Sequence, residues 1–128
     1  MKEYLKFYID GQWVDPESPA TLDVINPATE EACATISMGS ATDVEKAVAA
    51  ASAAFRSFSQ TSPSERVELL EAILGEYQKR YNEIAEAITM EMGAPSWLSS
   101  AAQAATGQGH FATVTQVLRQ YAFEEKKG

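Results

Sequence analysis

The run Thr42-Asp43-Val44-Glu45-Lys46-Ala47-Val48-Ala49-Ala50-Ala51-Ser52-Ala53-Ala54-Phe55 decides the class of fold. It opens on a hydroxyl residue followed three positions later by a glutamate. That is the spacing of a capping box, in which Thr42 accepts from the Glu45 amide and the Glu45 carboxylate reaches back to the Thr42 amide. Val44, Ala47, Val48, Ala51 and Phe55 then recur at helical spacing and predict an apolar stripe through about Ser57. A second box, Ser62-Pro63-Ser64-Glu65, puts proline at the first helical position, where its missing N–H costs nothing. Each cap contributes on the order of 1 kcal/mol.

Upstream the pattern is that of strands. Phe7-Tyr8-Ile9 and Gln12-Trp13-Val14 flank Asp10-Gly11, a dipeptide suited to a tight hairpin turn. Pro16 and Pro19 bracket a loop. A strand from Thr21 to Ile25 ends at Asn26-Pro27, because proline cannot donate to a ladder and disfavours helix before it. Ala28 to Glu31 forms a turn, and a third strand runs from about Ala32 to Ile36, leading to Gly39.

Downstream a longer apolar stripe passes through Val67, Leu70, Leu74, Tyr77, Tyr81, Ile84 and Ile88. It exceeds one average helix, and Lys79-Arg80-Tyr81-Asn82 is the expected break. Gly93 serves as a C-terminal cap, with Pro95 just beyond. A last helix is expected from Ser96 to about Ala122, with a local break at Gly107 or Gly109, since interior glycine costs roughly 1 kcal/mol against alanine. The expectation is an α/β fold: an N-terminal β-hairpin and short strands over 1–38, then about four helices over 42–122.

The chain has 128 residues, one domain's length, and 45% of them are hydrophobic, as in soluble globular proteins. Its formal charge of −8 and the lack of a Lys/Arg cluster argue against nucleic acid or an anionic membrane surface as partner. Cys33 is the single cysteine, so no internal disulfide can form and a reducing, cytoplasmic setting is expected. No run approaches the ~20 apolar residues of a membrane span. The first residues lack the apolar core of a secretory signal.

Five local patterns, in order along the chain, resemble the N-terminal region of the aldehyde dehydrogenase superfamily. Tyr8 to Val14 is similar to its opening hairpin, a hydrophobic-Asn/Asp-Gly-x-Trp pattern. Val24-Ile25-Asn26-Pro27-Ala28-Thr29-Glu30-Glu31 resembles its V-x-N-P-x-T-G/E-E strand and turn. Asp43 to Phe55 follows its D-V-x-x-A-V-x-A-A-x-x-A-F helix nearly position for position. Ser64-Glu65-Arg66 with Leu69-Leu70 resembles the next helix start, and Ile88 to Pro95 resembles an L-E-T-G-K-P helix end, with Met92 and Ala94 in place of the commoner Thr and Lys. The tail from Trp97 onward matches less well.

The resemblance implies the outer, N-terminal portion of a Rossmann-like coenzyme domain, with the catalytic domain absent. Family members oxidise aldehydes to carboxylic acids with NAD or NADP through a cysteine nucleophile. Their Pro-Trp-Asn, Glu-Leu-Gly-Gly and nucleophilic Cys motifs do not occur in this sequence. The chain is therefore expected to carry no catalytic or cofactor-binding residue, to be inactive alone, to need the remainder of a longer chain as partner, and to self-associate. The rival reading is a stand-alone, non-catalytic helical binding or regulatory module.

A few residues invite a functional role. Cys33 lies in a strand among acidic neighbours, which offers no activation of a thiol, and is expected to be a buried, inert thiol. His110 has no Ser-Asp or Cys partner patterned around it and reads first as a packing or surface residue. The resemblance places Ala102, Thr106 and His110 in the wall of the aldehyde tunnel. It also implies a structural Na+ or K+ held by the carbonyls of Val24 and Ile25 and the carboxylate of Glu91, an oxygen cage of the kind hard cations prefer; the alternative for Glu91 is a solvated glutamate in a last helical turn. Gly107-Gln108-Gly109 follows no strand and is not a dinucleotide fingerprint. Tyr77, Tyr81 and both tryptophans are expected in the core.

Overall fold

A computed structural model of the chain describes residues 2–127. Strands come first and helices after, the mixed α/β order expected from the sequence. The described residues divide into two compact units, one of residues 2–60 with 90–93 and one of residues 61–89 with 94–127.

In the first unit, β2 (Phe7–Ile9) and β3 (Gln12–Val14) form the expected hairpin, with Tyr8 opposite Trp13. Asp10 and Gly11 both have positive φ, 52° and 75°, which matches the turn to the twist of the strands. The other sheet has the order β1-β5-β4. Here β4 (Thr21–Asn26) pairs antiparallel with β5 (Glu31–Ser37), and β1 (Lys2–Tyr4) adds a parallel edge. The β1 strand has no period-2 signal in its Lys-Glu-Tyr sequence; β5 creates it by offering a free edge.

Helix α1 spans Ala41–Phe58, and its cap corrects the expected frame. Ser40, not Thr42, accepts from the amide of Asp43, and the Asp43 carboxylate takes the Ser40 amide at 2.8 Å. Both frames satisfy the box pattern. Asp43 prevails because it also accepts the amide of Glu17 at 3.0 Å, a tertiary bond that starts the helix earlier. The stripe of Val44, Val48 and Phe55 faces outward, Phe55 at 68% exposure.

In the second unit, α2 (Pro63–Lys79) begins at Ser62 with the expected box to Glu65. It ends at Arg80, whose φ of −103° and ψ of 13° break the helix within the anticipated tetrapeptide. The next helix, α3 (Tyr81–Met92), starts in this unit, has its last residues, 90–92, in the first, and stops at Gly93 with φ of 68°. A fourth helical stretch then runs without interruption as α4 (Ser96–Leu98), a π-helical segment (Ser99–Gln103) and α5 (Ala104–Gln120). No break occurs at Gly107 or Gly109. The irregularity lies earlier, at the π turn. The apolar core of the unit centres on Val67, Ala85 and Ala104, whereas Trp13 and Trp97 are 68% and 69% exposed rather than in a core.

Candidate functional site

The strand residues proposed to hold a cation sit at an irregularity. Val24 pairs with Ala34 and Ile25 with Ala32, so the register slips between them and leaves Cys33 as the extra residue of a bulge. Cys33 is half-buried, not fully buried as expected, and its Sγ donates to the Val24 carbonyl at 3.2 Å. Its hydrogen is engaged by backbone rather than by a base.

Gly93, two residues past Glu91, meets the chain two residues past Ile25. A Cβ on Gly93 would lie 2.8 Å from Cγ of Pro27, so only glycine admits this approach. The end of α3 and the end of β4 are thereby brought together. Glu91 itself is exposed. Among the described residues, no group of three or more His, Cys, Asp or Glu side chains is placed to hold a metal.

The second unit holds a polar arrangement that periodicity does not reveal. The amide of Ala104 donates to the carbonyl of Ser99, five residues back, which defines the π turn. Ser99 is wholly buried; it accepts from Thr89 Oγ1 at 2.8 Å and donates to Gln103. The Tyr81 hydroxyl donates to the Ser100 carbonyl, and the Tyr77 hydroxyl to the Ala104 carbonyl at 2.8 Å. Gly107 lies under Tyr77: a Cβ there would come within 2.4 Å of the tyrosine oxygen. Both tyrosines are half-buried with the hydroxyl on a carbonyl, and Phe111 lies against Tyr77 at 6.0 Å between centroids.

Ala102, Thr106 and His110 recur every four residues and are exposed together on one side of this helix, with the Thr106 hydroxyl bonded to the Ala102 carbonyl at 2.8 Å. Beside them His110, Phe111, Thr113, Val114 and Val117 line an open, mainly apolar depression of about 600 Å³. Gly107 and Gly109 lie inside α5 rather than at a strand-to-helix turn, so they form no phosphate cradle.

The aldehyde dehydrogenase family profile matches residues 13–127. The chain belongs to the aldehyde dehydrogenase family. A 3-succinoylsemialdehyde-pyridine dehydrogenase of Pseudomonas sp. is 48% identical over the whole chain, which covers 27% of that protein. An aldehyde dehydrogenase of Bartonella henselae superposes with a TM-score of 0.95 at 46% identity, over 98% of this chain and 26% of that one. An aldehyde dehydrogenase of Mycobacterium tuberculosis, solved with NAD+, gives a TM-score of 0.91 at 27% identity over 98% of this chain and 26% of its own. The chain thus spans about a quarter of the length of the relatives it matches. It is the N-terminal part of an aldehyde dehydrogenase, the portion that belongs to the Rossmann-like coenzyme domain.

Sequence reasoning missed the π turn and its tyrosine partners, although a clue was present. Ser96 to Gln108 is rich in small and polar residues that do not keep one strict apolar stripe.

Proposed function

We propose that this chain is the outer shell of the coenzyme domain of a longer, cytoplasmic, NAD(P)-dependent aldehyde dehydrogenase, one that oxidises aldehydes to carboxylic acids, and that alone it is inactive. The observation that carries this reading is near-complete coverage of this chain against about a quarter of each relative. NAD+ in structural neighbours supports the coenzyme. Gly107-Gln108-Gly109 is helical and follows no strand, so it offers no dinucleotide cradle; in this reading the coenzyme contacts and the nucleophilic cysteine come from other parts of the longer protein. What the present residues contribute is scaffold: a capped helix layer and a small sheet on which the rest of the domain packs. No helix among the described residues is long and apolar enough to cross a membrane.

Two local roles follow the family resemblance. The bulge carbonyls at Val24 and Ile25, with Glu91, would offer a Na+ or K+ ion hard oxygen donors. The Gly93–Pro27 approach supports this grouping. Ala102, Thr106 and His110 would form a tunnel wall, supported by their shared exposed side and the apolar depression beside His110.

The decisive experiment compares aldehyde-dependent NADH and NADPH formation by the 128-residue chain and by the longer protein encoded with it. Turnover is expected only from the longer form. Turnover by the purified short chain overturns the reading.

A further inference from the structure

Ser99 and Ala104 are both fully buried, at 0% exposure, although they lie five positions apart. In a regular α-helix five residues advance about 500°, which puts the two side chains about 140° apart. A single α-helix through this sequence would therefore turn one of them out to solvent. The π turn removes the conflict. Its i to i+5 bond returns position 104 to the side occupied by position 99, and Thr115, eleven residues past Ala104, shares that side and is also buried.

A π turn leaves a carbonyl without its usual amide. At Ser99–Gln103 that carbonyl belongs to Ser100, since the amide of Ala104 has gone to Ser99 instead. The Tyr81 hydroxyl is the group that meets it. Thr89 holds Ser99 from the same helix, α3. Tyr77 bonds the carbonyl at the far end of the turn over a glycine that leaves it room.

We propose that Tyr81 is a positioning residue whose hydroxyl holds the π turn at Ser99–Gln103 and so sets the phase of the helix carrying Ala102, Thr106 and His110. The consequence for an aldehyde path rests on the tunnel-wall reading above. The turn itself does not, so the two can fail separately.

The phase relation makes an unusual demand. Deleting Ala101 leaves the flanking buried positions four residues apart, about 40° around a regular helix, so both remain covered without any π turn. Once the turn is gone, the Tyr81 hydroxyl has no orphaned carbonyl to satisfy. A double-mutant cycle in the full chain, read by denaturant unfolding, tests this. Tyr81→Phe alone is expected to raise the unfolding constant roughly fivefold, the size of one net intramolecular hydrogen bond. In the Ala101-deleted background the same change is expected to fall within about twofold. Native-state hydrogen exchange supplies a second reading: Tyr81→Phe should speed exchange at Gln103 and Ala104 ahead of residues 63–79. Equal effects of Tyr81→Phe in both backgrounds, a deletion that abolishes folding, or unchanged exchange at 103 and 104 would each overturn the proposal.

Discussion

Asp43 does three jobs with one carboxylate. It accepts from the Ser40 hydroxyl at 2.7 Å, from the Ser40 amide, and from the amide of Glu17 in the loop before β4. The Ser40 hydroxyl and amide, then the Glu17 amide and the Lys46 charge, hold its carboxyl below the ordinary aspartate range and outweigh desolvation. A carboxyl with a folded-state pKa below its unfolded value stabilises the fold above the unfolded value, and that contribution is lost as pH falls through the folded one. Stability should therefore decline below about pH 4. Asp43→Asn is expected to lower the melting temperature at neutral pH and to flatten the acid decline, as thermal melts across a pH series would measure. A second residue-scale prediction concerns Glu30, which has φ of 60° in the turn after Asn26, where the Ala28 amide bonds Asn26 Oδ1 at 2.9 Å. Left-handed backbone costs a non-glycine residue roughly 1–2 kcal/mol, partly offset by the entropy glycine would lose on folding. Glu30→Gly should stabilise the chain by about 0.5–1 kcal/mol, measured by urea unfolding.

Among the elements, α2 has the most self-sufficient start. Ser62 accepts from Glu65, Glu65 returns to the Ser62 amide at 2.7 Å, and Pro63 needs no partner. These bonds lie within four consecutive residues, so sequence spacing alone locates them. Ser62→Ala is expected to cost about 1 kcal/mol in denaturant unfolding, by loss of the cap. The opposite case is the helix from Ser96 to Gln120. Its caps are not side-chain bonds, and its irregularity is held by tyrosines on α2 and α3. Contacts of that separation leave no mark in local periodicity. The expected glycine break did not form because Tyr77 occupies the space beside Gly107 and packs the helix there.

At the scale of the whole molecule, the chain exposes more large apolar side chains than it covers. Val44, Val48, Phe55 and Phe58 lie open along α1, and Val114 and Val117 along α5. Exposed apolar side chains grouped on one helix in this way mark an interaction face. The rest of a longer aldehyde dehydrogenase is the occupant proposed above. The isolated chain should accordingly self-associate, with an apparent mass that rises with concentration in multi-angle light scattering; a monomer at all concentrations would contradict this. Phe55→Glu, at the most exposed large apolar side chain of α1, should reduce association in the same measurement.

What the sequence by itself determined is whatever closes within a few residues: the Asp10-Gly11 hairpin, the Ser62 cap, the break at Arg80 and the stop at Gly93. Ordered patterns along the chain were enough for the family, because each carries a backbone requirement that few residues meet. Tertiary structure decided the rest. It chose Ser40 over Thr42 through the Glu17 bond, made β1 by presenting the edge of β5, turned both tryptophans outward, and put a π turn where two buried faces had to be brought into phase. In each case the deciding partner lies far away in sequence, where spacing and propensity carry no information about it.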